Sequence, residues 1–523
     1  MLKMKRVSTD STLGDGTHVE IDFSLQRIKR IAFVLVTSIA VLACTHTEKP
    51  ELQVTYDPAT YQPMPDTYGY MQDTAALVHA VDSANTVYVR KHAWGLFQAL
   101  LEPAKKSTWP LWFTWPTTAD IFIQSPPKSD EKLMSAESNS LIVLSLVEKN
   151  KKLTAGMHAS ANDTVIDQLP LPYYPLPQAV IDRYPSVVNK ANNSISMGSH
   201  FINNGDVMIP TESFSIEAYN WILDTKTNRK DTLQKLYDDP VKRKAGLDVP
   251  SRYVVTKHMY WPVLQNQPCF VPVWNPAQFP NPESAMEYAG YETWKEMALI
   301  NLSKDEVVID SLPFLVGVYS DTSLKTSLTK YIHTSGVPVM RNLDHFYNHQ
   351  VTAEEWNTVF TEADRAIISA ATYWAYGKPF QPGDYLVMVA MHINTKEIAT
   401  WALQSIWWTN NPTGEYAAQR PKTNTALDHY NMVDAYGIPD QTGNLPIGMN
   451  PYIELVIHPI ATNCNNCHIR AGFPEGPGSD ITKASYQNAS CQYMLQKMDP
   501  ETTSCLKQYL RTDFQWVIPD NAK

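Results

Sequence analysis

The chain has 523 residues, with 43 basic against 53 acidic side chains and a formal net charge of −10. Its 44% hydrophobic and 11% aromatic content excludes a disordered chain, and an acidic balance without basic runs argues against nucleic acid as a partner. Six cysteines (Cys44, Cys269, Cys464, Cys467, Cys491 and Cys505) are too few for a disulfide framework, so each is read in its own context.

The first element is an address. Ile31–Ala43 is a run of thirteen apolar or small residues behind Arg27, Lys29 and Arg30. A membrane-spanning helix needs about twenty such residues, so a secretory signal is the better fit. Val41-Leu42-Ala43-Cys44 resembles a bacterial lipobox, which implies that Cys44 becomes the first mature residue and carries a lipid. The competing reading is an ordinary signal peptide cut near Ala43. Met1–Ser24 is long for an n-region, as if the start codon were placed too far upstream. Cleavage after Ala43 removes six basic and four acidic residues and leaves the mature chain at −12. Thr45 after the cysteine resembles the outer-membrane sorting pattern of Gram-negative bacteria, facing the periplasm.

Residues 44–73, rich in Pro, Thr and Tyr, are expected to be a tether. The next expected helix is Val87–Ala99, with His92 a packed or surface residue. An aromatic segment (Trp109, Trp112, Phe113, Trp115) and a proline-punctuated extended stretch, Leu169–Pro177, follow. Ser213–Lys244 reads as one polar covering helix. Tyr253–Val263 reads as a buried strand paired with Cys269–Trp274, and Tyr385–Ile393 with Trp401–Trp408 as a hairpin about the turn Asn394–Glu397. Between them Thr352 and Glu355 have capping-box spacing for a helix that runs past Trp374 to stop at Gly377 and Pro379. Residues 74–523 are therefore expected to be one α+β domain, a large β-rich body with covering helices. Residues 409–450 are polar and Gly/Pro-interrupted, an unusual length of structureless chain for a compact domain.

The chemistry lies at Cys464-Asn465-Asn466-Cys467-His468. C-x-x-C-H is the attachment pattern of a c-type haem: two thiols three positions apart can add to the two vinyl groups, and the following imidazole can reach the iron. At this composition the pattern is expected by chance about 0.002 times in the chain. A secretory signal independently supplies the compartment in which such haems are attached. A zinc site would need four ligands and finds Cys464, Cys467 and at most His458. A redox dithiol would want a βαβ context, and a plain disulfide is the third alternative.

Cys491 and Cys505 fall in an expected helical tail, residues 485–512 broken at Asp499-Pro500, and could pair as a disulfide in an oxidising compartment. Cys269 reads as a buried small hydrophobe. The sixth iron ligand is open among Met449, Met494, Met498, His458 and His392. His345 and His349, four apart, would share a helix face.

RKHAWGLFQAL (90–100), VVTKHMYWPV (254–263), GDYLVMVAMHINTKEIATWALQSIWW (383–408), NPYIEL (450–455), NCNNCH (463–468) and RTDFQW (511–516) resemble a family of exported bacterial cytochrome c-like proteins with a single C-terminal CxxCH. The resemblance implies thioether attachment at Cys464 and Cys467, His468 as axial ligand of one covalent haem c, and a fold unlike the small all-helical cytochrome c. It implies no substrate. The expected function is a lipid-anchored monohaem cytochrome that transfers electrons in the bacterial envelope to an unidentified redox partner. The alternative is a haem-dependent oxidoreductase, peroxidase- or oxygenase-like, with a small-molecule pocket in the large domain and residues 409–450 as its lid. A haem-bearing sensor or adhesion module is a third.

Overall fold

The computed structural model describes residues 59–105, 109–123, 172–278, 290–294, 296–300, 302, 311–319, 327–333, 339–454, 462–474, 495, 497–499, 502–503 and 506–523. Cys44 and the signal segment, His458, Cys491, Met494 and Cys505 lie outside the described residues. The elements that place the site are, in chain order, α1 (Thr86–Leu101), β1 (Ile209–Phe214), α2 (Ile216–Thr225), β2 (Val254–Val263), β3 (Cys269–Val273), β4 (Glu296–Ile300), α3 (Glu362–Tyr376), β5 (Tyr385–Thr395), β6 (Ala402–Trp408), β7 (Tyr430–Ala435), α4 (Cys464–His468), β8 (Gly472–Phe473) and β9 (Leu510–Arg511).

The fold is mixed helix and strand around a large antiparallel sheet, and is not the small all-helical kind. The sheet runs β7-β6-β5-β2-β1, with the short strand Asn348–Gln350 continuing alongside the start of β5. β2, β5 and β6 are buried along nearly their whole length, so their near-continuous apolar runs match strands covered on both faces. Residues Leu52–Lys523 form one compact unit.

Register assigns the two faces, because side chains alternate along a strand. The row Thr211, His258, Met391, Ile406 and Met432 points to the main core, which also holds Trp94, Phe97 and Leu100 of α1 and Ile367, Ile368 and Trp374 of α3. On the opposite face Phe214, Val255, Leu403 and Ala435 join a second apolar cluster with Ile222, Phe473, Leu510 and Ile518. Two residues along that face the row changes character to Glu212, Lys257, His392 and Ser405.

Several sequence expectations are corrected. Ser213–Lys244 is not one helix. Ser213 lies within β1, Ser215 caps α2, Lys226 turns left-handed at φ 57°, a second helix runs Lys230–Asp238, and Asp239 caps a third, Pro240–Ala245. β3 pairs with β4 rather than with β2; β2 is already flanked by β5 and β1. Thr352 and Glu355 do form a capping box, but it opens a single wide turn, Glu355–Val359, and Thr361 with Asp364 caps α3 afresh. Residues 409–450 are not structureless, since β7 is the sheet's edge strand. His345 ends a short turn and His349 lies in a strand, so they share no helix face. Of the tether, the described part packs down. Tyr61 accepts from Ile216 N (3.1 Å), Met71 N donates to Glu397 (2.8 Å), and Met64 and Tyr70 are buried. Most of the expected helical tail lies outside the described residues; its end, Leu510–Arg511, is β9, which pairs with β8.

Candidate functional site

α4 is a single helical turn built to hold Cys464 and Cys467 on one side. Asn463 is its N-cap, with Oδ1 accepting from Asn465 N (2.9 Å) and Asn466 N (3.4 Å), so two otherwise unmatched amides are satisfied. Its Nδ2 donates to Pro446 O (2.8 Å), and Asn465 Nδ2 donates to Thr400 O (2.6 Å). Gly448 O accepts both Cys464 N (3.0 Å) and Cys464 Sγ (3.2 Å). A Cβ on Gly448 would stand 3.2 Å from Asn463 Nδ2 and 3.3 Å from Val433, so glycine is what lets this strand of chain run so close. These bonds lay α4 over the middle of β6.

Cys464 and Cys467 are free thiols, not joined to each other. Both keep some exposed surface, yet burial pushes the Cys464 thiol well above its ordinary value and the Cys467 thiol up to about 12. Glu454 adds to both shifts; the Ser405 hydroxyl opposes the first and Arg470 the second. Among the described residues no group of three or more His, Cys, Asp or Glu is set to hold a metal ion; His458 lies outside them.

His468 carries the clearest chemical instruction. Its Nδ1 lies 2.8 Å from Phe514 O. A carbonyl can only accept, so Nδ1 holds the proton and Nε2 presents a lone pair, to which no described residue donates. Burial, outweighing the Phe514 hydrogen bond, lowers the pKa to about 4, which keeps the ring neutral. This is how a metal-ligating histidine is normally oriented, through its second nitrogen. The carbonyl is delivered by a strained turn, with Asp513 and Phe514 at φ 50° and 67°. Asp513 pins that turn by accepting from Lys396 Nζ (2.7 Å), Trp401 Nε1 (3.0 Å) and Val249 N (3.1 Å).

Facing α4 from the sheet are Ser405, His392 and Lys257. His392 and Lys257 act on His468 through their charge, as does Glu454. Glu454 is placed by the turn Asn450–Glu454, where Glu454 N donates to Asn450 O (2.9 Å) and Asn450 Nδ2 donates to Ile406 O (2.8 Å). Its Oε1 stands 2.7 Å from His392 Nε2. Lys257 Nζ is 3.4 Å from Glu212. Two thiols one turn apart and a neutral imidazole whose Nε2 accepts from no described residue are the donor types that a covalent haem would use.

The other expected residues have partners of their own. His92 is packed in α1, bonded to the Tyr436 hydroxyl at 2.9 Å. Met449 belongs to the main core, and Met498 packs with Ile469 and Leu506. His349 stacks on Trp109 at 3.5 Å and pairs with Glu355. Cys269 is buried, with its thiol pushed up to about 12. Glu454, Lys257 and Asp513 were missed as individuals, although each lies in a segment quoted above for its resemblance (450–455, 254–263 and 511–516). No helix among the described residues is long and apolar enough to cross a membrane. No family model, curated protein or solved structure matches the chain.

Proposed function

We propose that the chain is a monohaem c-type cytochrome that passes single electrons in the bacterial envelope, held there by a lipid on Cys44. It would belong with the exported cytochrome c-like proteins that its segments resemble, with a redox protein as partner. Cys464 and Cys467 would form the two thioethers, and His468 would hold the iron through Nε2. The haem, once attached, supplies a one-electron couple. The chain's own work is to fix the ligand and its surroundings. Phe514 O sets the tautomer of His468, Asp513 holds the turn that carries that carbonyl, and the apolar cluster around Phe473, Leu510 and Ile518 keeps water from the adjoining face. The observation that carries this reading is the Nδ1 bond of His468, which leaves Nε2 free beside two unpaired thiols.

The oxidoreductase alternative drew on residues 409–450 as a lid. Of those residues Tyr430–Ala435 are an edge strand of the main sheet, which takes that stretch out of any lid. The test is a haem stain after denaturing electrophoresis of protein exported from a bacterium able to attach haem c. The parent chain should stain, and Cys467→Ala should lose most of the stain. A stain of equal strength in that variant would refute the assignment.

A further inference from the structure

Resting on the haem reading above, we propose that the basic face of residues 226–244, centred on Val241, Lys242 and Lys244, is the docking surface for an acidic redox protein that exchanges single electrons with the haem.

Three observations converge. The first is charge. Residues 226–244 carry seven basic and three acidic side chains in a chain whose net charge is −10, and every basic residue of the stretch except Arg243 is exposed. The carboxylates are occupied. Asp231 is shared by Arg229 (3.1 Å) and Lys235 (3.8 Å), Asp238 accepts from Gln234 Nε2 (2.8 Å), and Asp239 caps the helix Pro240–Ala245. No ion pair among the described residues engages Lys226, Lys230, Lys242 or Lys244, so the stretch presents net positive charge.

The second is a helix that core packing does not explain. Pro240–Ala245 buries none of its residues, and Val241 is 78% exposed, the most exposed large apolar side chain among the described residues. Yet this helix is firmly mounted. Leu247 N donates to Arg511 O (2.8 Å), and Arg511 Nη2 donates to Lys244 O (2.9 Å). Gly246, at φ 76°, brings the helix end so near that a Cβ would stand 3.1 Å from Arg511 O. An apolar residue on a fixed mount, flanked by unpaired cations, has the make-up of a docking patch with apolar contact inside and charge at the rim.

The third is where the mount leads. Arg511 belongs to β9, and just beyond it Asp513 accepts from Val249 N (3.1 Å) while Phe514 O accepts from His468 Nδ1 (2.8 Å). By a second route, Arg243 lies over the Tyr237 ring (5.1 Å), which meets Phe473 of β8 edge-on (6.3 Å). β8 follows the Cys464–His468 turn closely in the chain. Electron transfer weakens steeply with distance, so a partner gains by seating on the segment bonded to the turn that holds His468. An anionic lipid surface is the poorer match. Membrane-binding faces set several large apolar side chains against their basic residues, whereas this one offers a single valine among interspersed carboxylates.

The experiment uses the full-length holoprotein and, as the probe, a small acidic flavodoxin-type protein carrying reduced flavin. One electron passes from the anionic flavin hydroquinone to the ferric iron, leaving the neutral semiquinone and ferrous haem, with no proton transferred. Stopped-flow absorbance reads the second-order rate. For the parent it should fall about tenfold between about 20 mM and about 200 mM salt. Lys242→Glu combined with Lys244→Glu should slow it about tenfold at low salt and flatten the salt dependence, and Val241→Ser should slow it about threefold with the salt dependence intact. Lys91→Glu combined with Lys190→Glu makes the same change in net charge at exposed sites outside the patch, and should stay within about twofold of the parent. Free reduced riboflavin, a small donor that needs no docking, should reduce all of them alike.

A patch variant as fast as the parent overturns the proposal, even where it has lost binding to phosphatidylglycerol vesicles or an association between two copies of the chain, since the face then serves those instead. Equal slowing in the Lys91 and Lys190 variant overturns it too, because net charge alone would then set the rate, as does equal slowing with riboflavin. A parent with no covalent haem overturns the underlying reading instead, and a haem stain tells the two failures apart.

Discussion

His258 and His392 stand on the neighbouring strands β2 and β5, both buried in the same sheet, and they could hardly be used more differently. Register pairs His258 with Met391 and His392 with Lys257, so the two rings leave the sheet on opposite faces. His258 lies flat against Trp112, ring centroids 3.5 Å apart, within the aromatic core, and burial pushes its pKa well below the ordinary value. His392 meets the Glu454 carboxylate at 2.7 Å. One is a flat spacer in an aromatic core; the other belongs to a row with Glu212, Lys257 and Ser405. Residue type and strand position are shared, so the difference comes from what covers each face.

That contrast can be broken or sharpened by treating the faces separately. The largest effect is expected from Trp112→Ala, which empties a fully buried site in the main core. It should cost about 3–5 kcal/mol in urea unfolding while haem per folded molecule stays unchanged. A variant that instead kept its stability and lost haem would show that the faces are not independent. Next is Asp513→Ala, on the site face. It strands the mostly buried Lys396 ammonium and the Trp401 indole N–H, so a loss of about 3 kcal/mol is expected. Haem stain should fall as well, because the turn that presents Phe514 O loses its anchor.

Asn463→Ala removes the cap of the attachment turn. It should cost about 1 kcal/mol and lower haem loading, measured as haem absorbance per protein. His258→Met is the smallest, within about 1 kcal/mol at neutral pH, with the haem spectrum untouched. Its pH dependence is the sharper measurement. The folded chain keeps His258 neutral below the 6.5 of a free imidazole, so under mild acid only the unfolded chain takes up that proton. Stability is therefore lost as pH falls below about 6.5, by up to about 1.4 kcal/mol per pH unit from this group. Urea unfolding at pH 7 and pH 5 should show the parent losing more stability than the methionine variant; equal losses would mean that the ring is not sealed.

How much of this was legible in the chain depends on the range of the signal. The hairpin of β5 and β6 could be read directly, because two long apolar runs flank one short polar turn. Cys464–His468 stands out as a motif because its pattern is contained in five consecutive residues, and the turn it forms is capped by the residue just before it. β7 could not, since Asn431 and Asp434 interrupt Tyr430–Ala435 and an edge strand needs apolar cover only on part of its length. α3 was read one cap too early because two Thr-x-x-acid boxes lie nine residues apart, and only packing decides which one starts the long helix. Glu454, Lys257 and Asp513 carry no local signature of any kind. Their roles follow from strand register and from a turn more than forty residues beyond His468, and neither is written in a window of sequence.

The pairing of β2 with β5 has a consequence for the order of events in the life of the molecule. Lys257, His392, Glu454, His468 and Phe514 come from five separated stretches, and the strands that carry the first two are far apart in the chain. Contacts of such long range form late and slowly, after local turns and helices are in place. The Cys464–His468 turn, whose cap is the residue just before it, needs fewer of those late contacts than the strands beneath it. If the proposed haem is attached at that stage, it would serve as a template for the last stage of folding rather than a late addition to a finished protein.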